Sequence, residues 1–136
     1  MRYVLDASFC AAAILPDEKN EYALNFFSTV EEGAAIYVPH LWWYETGNIL
    51  KKAIMRNRIS YLEAQEILSR LSAVNVITDS EFCGAYARAL LKLAYDYDLT
   101  VYDAAYLELA GRKKAALGTL DRNLKAAAVK FGIEVL

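Results

Sequence analysis

Several residue types are scarce in this sequence. Its 136 residues include two cysteines, two prolines, six glycines and one histidine. Cys10 and Cys83 lie in apolar stretches without a paired metal-binding spacing, so we expect both to be small buried thiols of a reduced protein. There is also no linker, low-complexity segment or internal repeat. The length therefore predicts one domain over residues 1–136.

Long hydrophobic runs are missing as well. The longest apolar stretches, such as residues 9–15, fall well short of the roughly 20 residues that a membrane-spanning helix needs. At the start of the sequence an acidic residue, Asp6, already ends the first apolar stretch, whereas the apolar part of a secretory signal continues for about 7–15 residues. We therefore expect a cytoplasmic protein with no signal peptide and no membrane segment.

An excess of positive charge is also absent. Fifteen Lys and Arg residues stand against seventeen Asp and Glu residues, which gives a formal net charge of −2. This balance argues against a protein that binds nucleic acid through its overall charge. The hydrophobic fraction of 57% and the charged fraction of 24% exclude a disordered chain.

Short apolar segments alternate with helical patterns along the whole chain. Strands are predicted at 2–5, 36–38, 74–77, 115–119 and 133–135. Helices are predicted at about 7–15, 21–32, 41–57, 61–73, 81–95, 103–111 and 122–130. Asn20, the Ser60–Glu63 capping box and Thr78-Asp79-Ser80 are the expected helix starts, and Gly132 is an expected stop. The alternation predicts an α/β domain with a mostly parallel sheet of about four to five short strands.

Acidic residues stand where the predicted strands pass into helices. Asp6 follows the first strand, and Asp121 comes two residues after the strand that ends at Thr119. Glu45 lies in the first turns of the helix after the second strand, and Asp103 starts another helix. Since ligands of open parallel sheets bind beyond the carboxyl ends of the strands, we expect these four side chains to converge.

Converging carboxylates oppose each other's ionisation and cost stability unless a cation lies among them. Mg²⁺ and Mn²⁺ prefer such oxygen ligands, and two ions about 4 Å apart can activate water for phosphodiester hydrolysis. Taken singly, each acid also fits a helix cap or a solvated helix position. Without these four acids, the rest of the chain has 15 basic and 13 acidic residues. The net charge of −2 is therefore compatible with a slightly basic surface outside the site.

Local sequences resemble those of PIN-domain proteins. The matching segments are VLDAS at 4–8, YDAAYLELA at 102–110, LGTLD at 117–121 followed by Asn123 and Leu124, and the spaced Pro39, Glu45 and Asn48. Together they span residues 4–124, and the central and last segments are specific in combination. Gly118 departs from the pattern, where a bulkier residue is common.

The size and segment order are similar to the VapC-type toxins of toxin–antitoxin pairs. The resemblance implies a three-layer α/β/α sandwich and a Mg²⁺-dependent endoribonuclease, with Mn²⁺ as the other suitable ion. It also implies a homodimer, an RNA substrate and a cognate antitoxin that blocks the site. By position, Asp6 and Asp103 are metal ligands, and Glu45 and Asp121 bind a second metal or a water. The supporting residues that would orient these acids are Ser8, Asn48 and Thr119.

Other interpretations of the function stay open. The main alternative is a non-catalytic PIN-like module that binds RNA or protein without cutting. A haloacid-dehalogenase-type phosphatase would need a second Asp where Ser8 stands, and a response-regulator receiver would need paired acids after the first strand.

Several side chains near the predicted site have no assigned role. Glu45, Asn48 and Lys52 share a helix face, so Lys52 and nearby basic residues either follow an RNA backbone or are simply solvated. His40 is more typical of a structural hydrogen-bonding residue than of an acid–base catalyst. The same holds for two further pairs, in which solvation and packing are the ordinary explanations: Asp96 and Asp98, and Trp42 and Trp43.

Overall fold

In the described part of the chain, pairs of helices separate four short strands, and a seventh helix follows the last strand. The computed structural model describes residues 1–18, 20–81 and 83–136. The strands are β1 (Arg2–Leu5), β2 (Ala35–Val38), β3 (Val76–Thr78) and β4 (Ala116–Gly118). The helices are α1 (Ala7–Ile14), α2 (Glu21–Thr29), α3 (Leu41–Met55), α4 (Tyr61–Ala73), α5 (Gly84–Tyr97), α6 (Val101–Lys113) and α7 (Arg122–Phe131).

The strands form one parallel sheet in the order β3-β2-β1-β4. In its centre, Val4 pairs with Tyr37 on one side and with Leu117 on the other. The chain passes from β1 through β2 to β3 in one direction and then returns across the sheet to β4. Right-handed crossovers therefore place α1–α4 on one face and α5–α7 on the other. The predicted three-layer α/β/α architecture is confirmed.

Apolar side chains fill both faces of the sheet. Val4, Phe9 and Leu107 are almost fully buried in the main core, as expected of a central parallel strand covered by helices on both sides. The ring of Phe9 also packs edge-on against Phe26, which fixes α2 over α1. None of the helices in the described ranges has the length and apolar character needed to cross a bilayer.

Most predicted helix signals are confirmed. The side chain of Asn20 accepts hydrogen bonds from the backbone N–H groups of Tyr22 and Ala23 at 3.0 and 3.1 Å, and so caps α2. Both halves of the capping box between Ser60 and Glu63 form at the start of α4.

Several segments differ from prediction, and α2, for example, ends at Thr29 instead of about residue 32. The helix predicted from about residue 81 begins only at Gly84, because Arg112 takes the Asp79 carboxylate that was expected to cap it. Phe82, within that prediction, lies outside the described residues. The third strand is shifted to 76–78. The predicted last strand forms only a single parallel bridge, between Val135 and Leu117.

The expectation of two buried thiols is half wrong. Cys10 lies in the core, and burial raises the pKa of its thiol. Cys83 is exposed, because it precedes α5 in the connection beyond β3 instead of lying inside a helix.

Candidate active site

Asp6 lies at the carboxyl end of the central strand. It is 6% exposed, and its backbone N–H still bonds to the carbonyl of Gly118 at 2.9 Å. Its Oδ1 accepts hydrogen bonds at 2.7 Å from the Phe9 backbone N–H and from the hydroxyl of Ser8. Asp6 therefore caps α1 and is held by Ser8, one of the predicted supporting residues.

Thr119 connects two of the predicted acids. This fully buried residue follows β4, and its hydroxyl donates a hydrogen bond to Oδ2 of Asp6. The same hydroxyl accepts the backbone N–H of Asp121 at 3.0 Å. Asp121 in turn caps α7, since its Oδ1 accepts the N–H of Leu124 at 2.8 Å. One hydroxyl thus links the ends of β1 and β4, where the sheet connections diverge and ligands characteristically bind.

Asp103 lies in the first turn of α6 and is not its cap. Thr100 caps the helix by accepting the Asp103 backbone N–H at 3.0 Å, and the Thr100 hydroxyl donates to Oδ2 of Asp103 at 2.8 Å. The helix therefore starts at Val101, two residues earlier than predicted. Burial, with smaller contributions from Asp121 and Asp6, raises the pKa of the Asp103 carboxyl.

Glu45 has a partner that the sequence analysis missed. The hydroxyl of Tyr106, a buried residue of α6, donates a hydrogen bond to Oε2 of Glu45. Tyr106 follows Asp103 by three residues, so the two share one helix face, and this spacing within the YDAAY segment was the available signal. Burial raises the pKa of Glu45, and the charges of Asp6 and Asp103 raise it further, against the opposing effect of Tyr106.

The four acids line one cavity of about 320 Å³ at the carboxyl edge of the sheet. The described residues that line it are Asp6, Ala7, Ser8, Glu45, Asn48, Ile49, Lys52, Asp103, Tyr106 and Asp121. The predicted convergence therefore holds, and α1, α3, α6 and the β4–α7 connection each contribute to it. Asn48 lines the cavity and makes no side-chain hydrogen bond within the described residues, so its supporting role stays a prediction.

The donor set suits a hydrated divalent ion better than a closed metal cage. In the described part of the chain, no three His, Cys, Asp or Glu side chains are arranged to hold an ion by themselves. One oxygen on each of Glu45, Asp103 and Asp121 accepts no hydrogen bond from described residues. Mg²⁺ typically binds one or two carboxylates and keeps several waters, which fits this open arrangement.

A second cavity, of about 640 Å³, is mostly apolar and contains none of the four acids. His40, the sole histidine, lines this cavity and not the acidic one. The larger cavity is lined by residues at the start of α3, in the connection before α5, and in the first turns of α5 and α6. The chemistry suggested by converging carboxylates therefore belongs to the smaller cavity.

The remaining acids and aromatic residues singled out in the sequence lie outside the acidic cavity. Asp96 pairs with Lys92 at 2.6 Å on the surface of α5, and Asp98 ends that helix in the left-handed conformation. Trp42 is buried in the core, and Trp43 donates its indole N–H to the hydroxyl of Thr78 at 2.9 Å. These observations favour solvation for the acids and packing for the tryptophans.

Comparisons with known proteins agree with the fold described above. The PIN domain family model matches residues 3–130. Ribonuclease VapC3 of Pyrobaculum aerophilum is 34% identical over 128 residues, which cover 91% of this chain and 92% of VapC3. Exonuclease VapC9 of the same organism is 28% identical over 127 residues, with 93% and 85% covered.

A solved structure shows the same fold. VapBC2 from Rickettsia felis, bound to a DNA fragment from its promoter, superposes with a TM-score of 0.70 at 18% identity, covering 100% of this chain and 98% of the matched chain. At that identity the likeness concerns the fold alone. The family model covers nearly all of the sequence, including the segments that carry the four acids. The chain therefore belongs to the PIN-domain family.

Proposed function

We propose that this protein is a divalent-metal-dependent endoribonuclease. The observation that carries the proposal is the convergence of Asp6, Glu45, Asp103 and Asp121 on one cavity. The name of the relative VapC3, a ribonuclease, supports RNA as the substrate. The reaction is hydrolysis of a phosphodiester bond, which leaves a 5′-phosphate and a 3′-hydroxyl.

In this proposal Asp6 and Asp103 hold Mg²⁺, for which Mn²⁺ can substitute, and Glu45 and Asp121 hold a second ion or its waters. Bound there, the ion would lower the pKa of a water and neutralise charge on the phosphate.

The chain's own residues orient these groups. Ser8 and Thr119 fix the two oxygens of Asp6, and Tyr106 fixes one oxygen of Glu45. With one oxygen of Glu45 held by Tyr106, its other oxygen is left to accept a hydrogen bond from a water in the cavity.

We further propose that the protein is the toxin of a type II toxin–antitoxin pair, acting in the cytoplasm as a homodimer and blocked by a cognate antitoxin. The resemblance to VapC-type toxins, the VapC names of the relatives and the fold shared with VapBC2 support this assignment. A short neighbouring reading frame encoding a DNA-binding protein that co-purifies with this chain and stops its cleavage would support the pairing. The absence of such a reading frame, or a co-purifying protein that leaves cleavage unchanged, would contradict the pairing.

The test compares wild type with Asp6→Asn and Asp103→Asn on a long single-stranded RNA labelled at both ends. Asp96→Asn is the matched control, because Asp96 lies on the surface away from the cavity. With Mg²⁺, wild type and the control should release internal fragments, and both site variants should lose cleavage while keeping the wild-type circular dichroism spectrum.

Three results would contradict the proposal. Cleavage at the wild-type rate by the Asp6→Asn protein would show that the Asp6 carboxylate is not needed for the reaction. Release of single nucleotides from one end would make the enzyme an exonuclease, as the name of VapC9 says of that relative. Binding of RNA without cleavage, unchanged by a chelator, would favour a non-catalytic binding module.

A further inference from the structure

Among the described residues, Lys52 is the one cation that lines the acidic cavity. It lies on α3 seven residues after Glu45 and four after Asn48, so that one face of the helix presents all three side chains. Lys52 thus lines the same cavity as the four acidic residues. Its position at the exposed end of this face places it at the rim and not in the core.

Lys52 is not used to neutralise the acids. Among the described residues, the cations that form ion pairs within 4.0 Å are Arg58, Lys92, Arg112 and Lys113. Lys52 has neither an ion pair nor a side-chain hydrogen bond in that part of the chain. Its charge therefore remains available to an anionic ligand that enters the cavity.

The neighbouring Lys51 shows that this placement is specific. It is also an exposed lysine of α3, one residue earlier, but it lines a different groove with Leu50 and Tyr61. The two lysines therefore carry the same charge, lie on the same helix and are both exposed, but they face different surfaces. Arg112 and Lys113, on α6, are both occupied by the carboxylate of Asp79.

We propose that Lys52 is a positioning residue that binds a phosphate of the RNA backbone next to the bond that is cut. The inference rests on the proposed ribonuclease function. Carboxylates repel an approaching phosphodiester, and a flexible ammonium at the rim attracts it as a point charge. A contact of this kind holds the strand in register without reading the base sequence.

The test measures binding and cleavage of a labelled single-stranded RNA at several KCl concentrations and constant Mg²⁺. Binding is measured by fluorescence anisotropy in the Asp6→Asn background, which we expect to be inactive. Cleavage is measured with an otherwise wild-type chain. Each background carries Lys52→Ala, Lys52→Arg or the matched control Lys51→Ala.

For Lys52→Ala we expect Kd and KM to rise roughly two- to fivefold at low salt, the upper part of the range for one exposed charge contact. The slope of log affinity against log salt should become shallower by about 0.7, the value for one phosphate contact on a single strand. Lys52→Arg should restore the slope, Lys51→Ala should leave it unchanged, and kcat should change less than KM.

Three results separate the inference from the proposed function. If wild type cleaves RNA and Lys52→Ala has the same salt slope as Lys51→Ala, the inference is overturned alone. A loss of kcat at an unchanged slope also overturns it, since Lys52 would then act on the chemistry or the fold. If wild type cleaves no RNA, the proposed function is overturned, and the slope measured by binding then decides only whether Lys52 contacts a phosphate of bound RNA.

Discussion

The hydroxyl of Thr119 should carry more of the stability of this fold than its size suggests. It is fully buried, donates to Oδ2 of Asp6 and accepts the backbone N–H of Asp121. Thr119→Val keeps the shape of the side chain and removes both hydrogen bonds. Thr119→Ser keeps the hydroxyl and removes one methyl group, so it is the matched control.

The size of the effect follows from the two bonds. A hydrogen bond to a charged group contributes about 1.5–3 kcal/mol and a neutral one about 0.5–1.5 kcal/mol. The extra buried methyl of valine returns about 0.8 kcal/mol. Thr119→Val should therefore lower the free energy of unfolding by about 1–4 kcal/mol, with a midpoint of about 2.5 kcal/mol, against about 1 kcal/mol for Thr119→Ser.

Urea unfolding in the presence of a chelator measures the difference, because bound ions would otherwise add to stability. Cleavage gives a second readout, since losing a group that orients a metal ligand typically costs about 10–100-fold in activity or metal affinity. If Thr119→Val unfolds at the same urea concentration as Thr119→Ser and cleaves equally well, the hydroxyl does not hold these acids.

Three further predictions concern other parts of the molecule. Gly118→Ala would place a Cβ 2.6 Å from Cδ2 of Leu5, so we expect a loss of about 1–3 kcal/mol by urea unfolding. The loss should shrink in a Leu5→Ala background, and an equal loss there would refute the overpacking. The raised pKa of Asp103 means that the folded chain binds more protons than the unfolded chain just above the ordinary aspartate range. Stability without metal should therefore fall as pH rises through that window, and it should fall less in Asp103→Asn, whereas an identical pH profile would show that Asp103 is not responsible. Cys83 should react with a thiol reagent in the native protein and Cys10 only after unfolding, so Cys83→Ser should abolish the native reaction.

The positions of Asp6 and Asp121 were predictable because they depend only on the local sequence around each residue. Each follows a short apolar strand, and parallel strands place their carboxyl ends at one edge whatever the details of the helices. The observed register, with Leu5 opposite Gly118, brings these ends together as expected. A resemblance across the same segments led to the same residues independently.

The features that prediction missed depend on partners distant in sequence. Asp79 fits a helix cap by local pattern, but Arg112, 33 residues away, binds its carboxylate through two hydrogen bonds at 3.0 and 2.7 Å. Tyr106 looks like a core aromatic, and its link to Glu45 appears only when α3 and α6 are placed beside each other. Local propensity carries no information about either contact. The spacing of Tyr106 from Asp103 indicates a shared helix face but not the partner Glu45, so neither contact could be predicted before the fold was known.

Helix capping and metal binding need not be alternative roles for these acids. Asp121 uses Oδ1 to cap α7, and its other oxygen accepts no hydrogen bond from the described residues. Asp6 likewise caps α1, and Asp103 lies in the first turn of α6. Three helices therefore direct their N-terminal ends, with their partial positive charge, toward one acidic cavity. This offsets part of the repulsion between the carboxylates, and it explains how the fold can keep them together before a cation arrives.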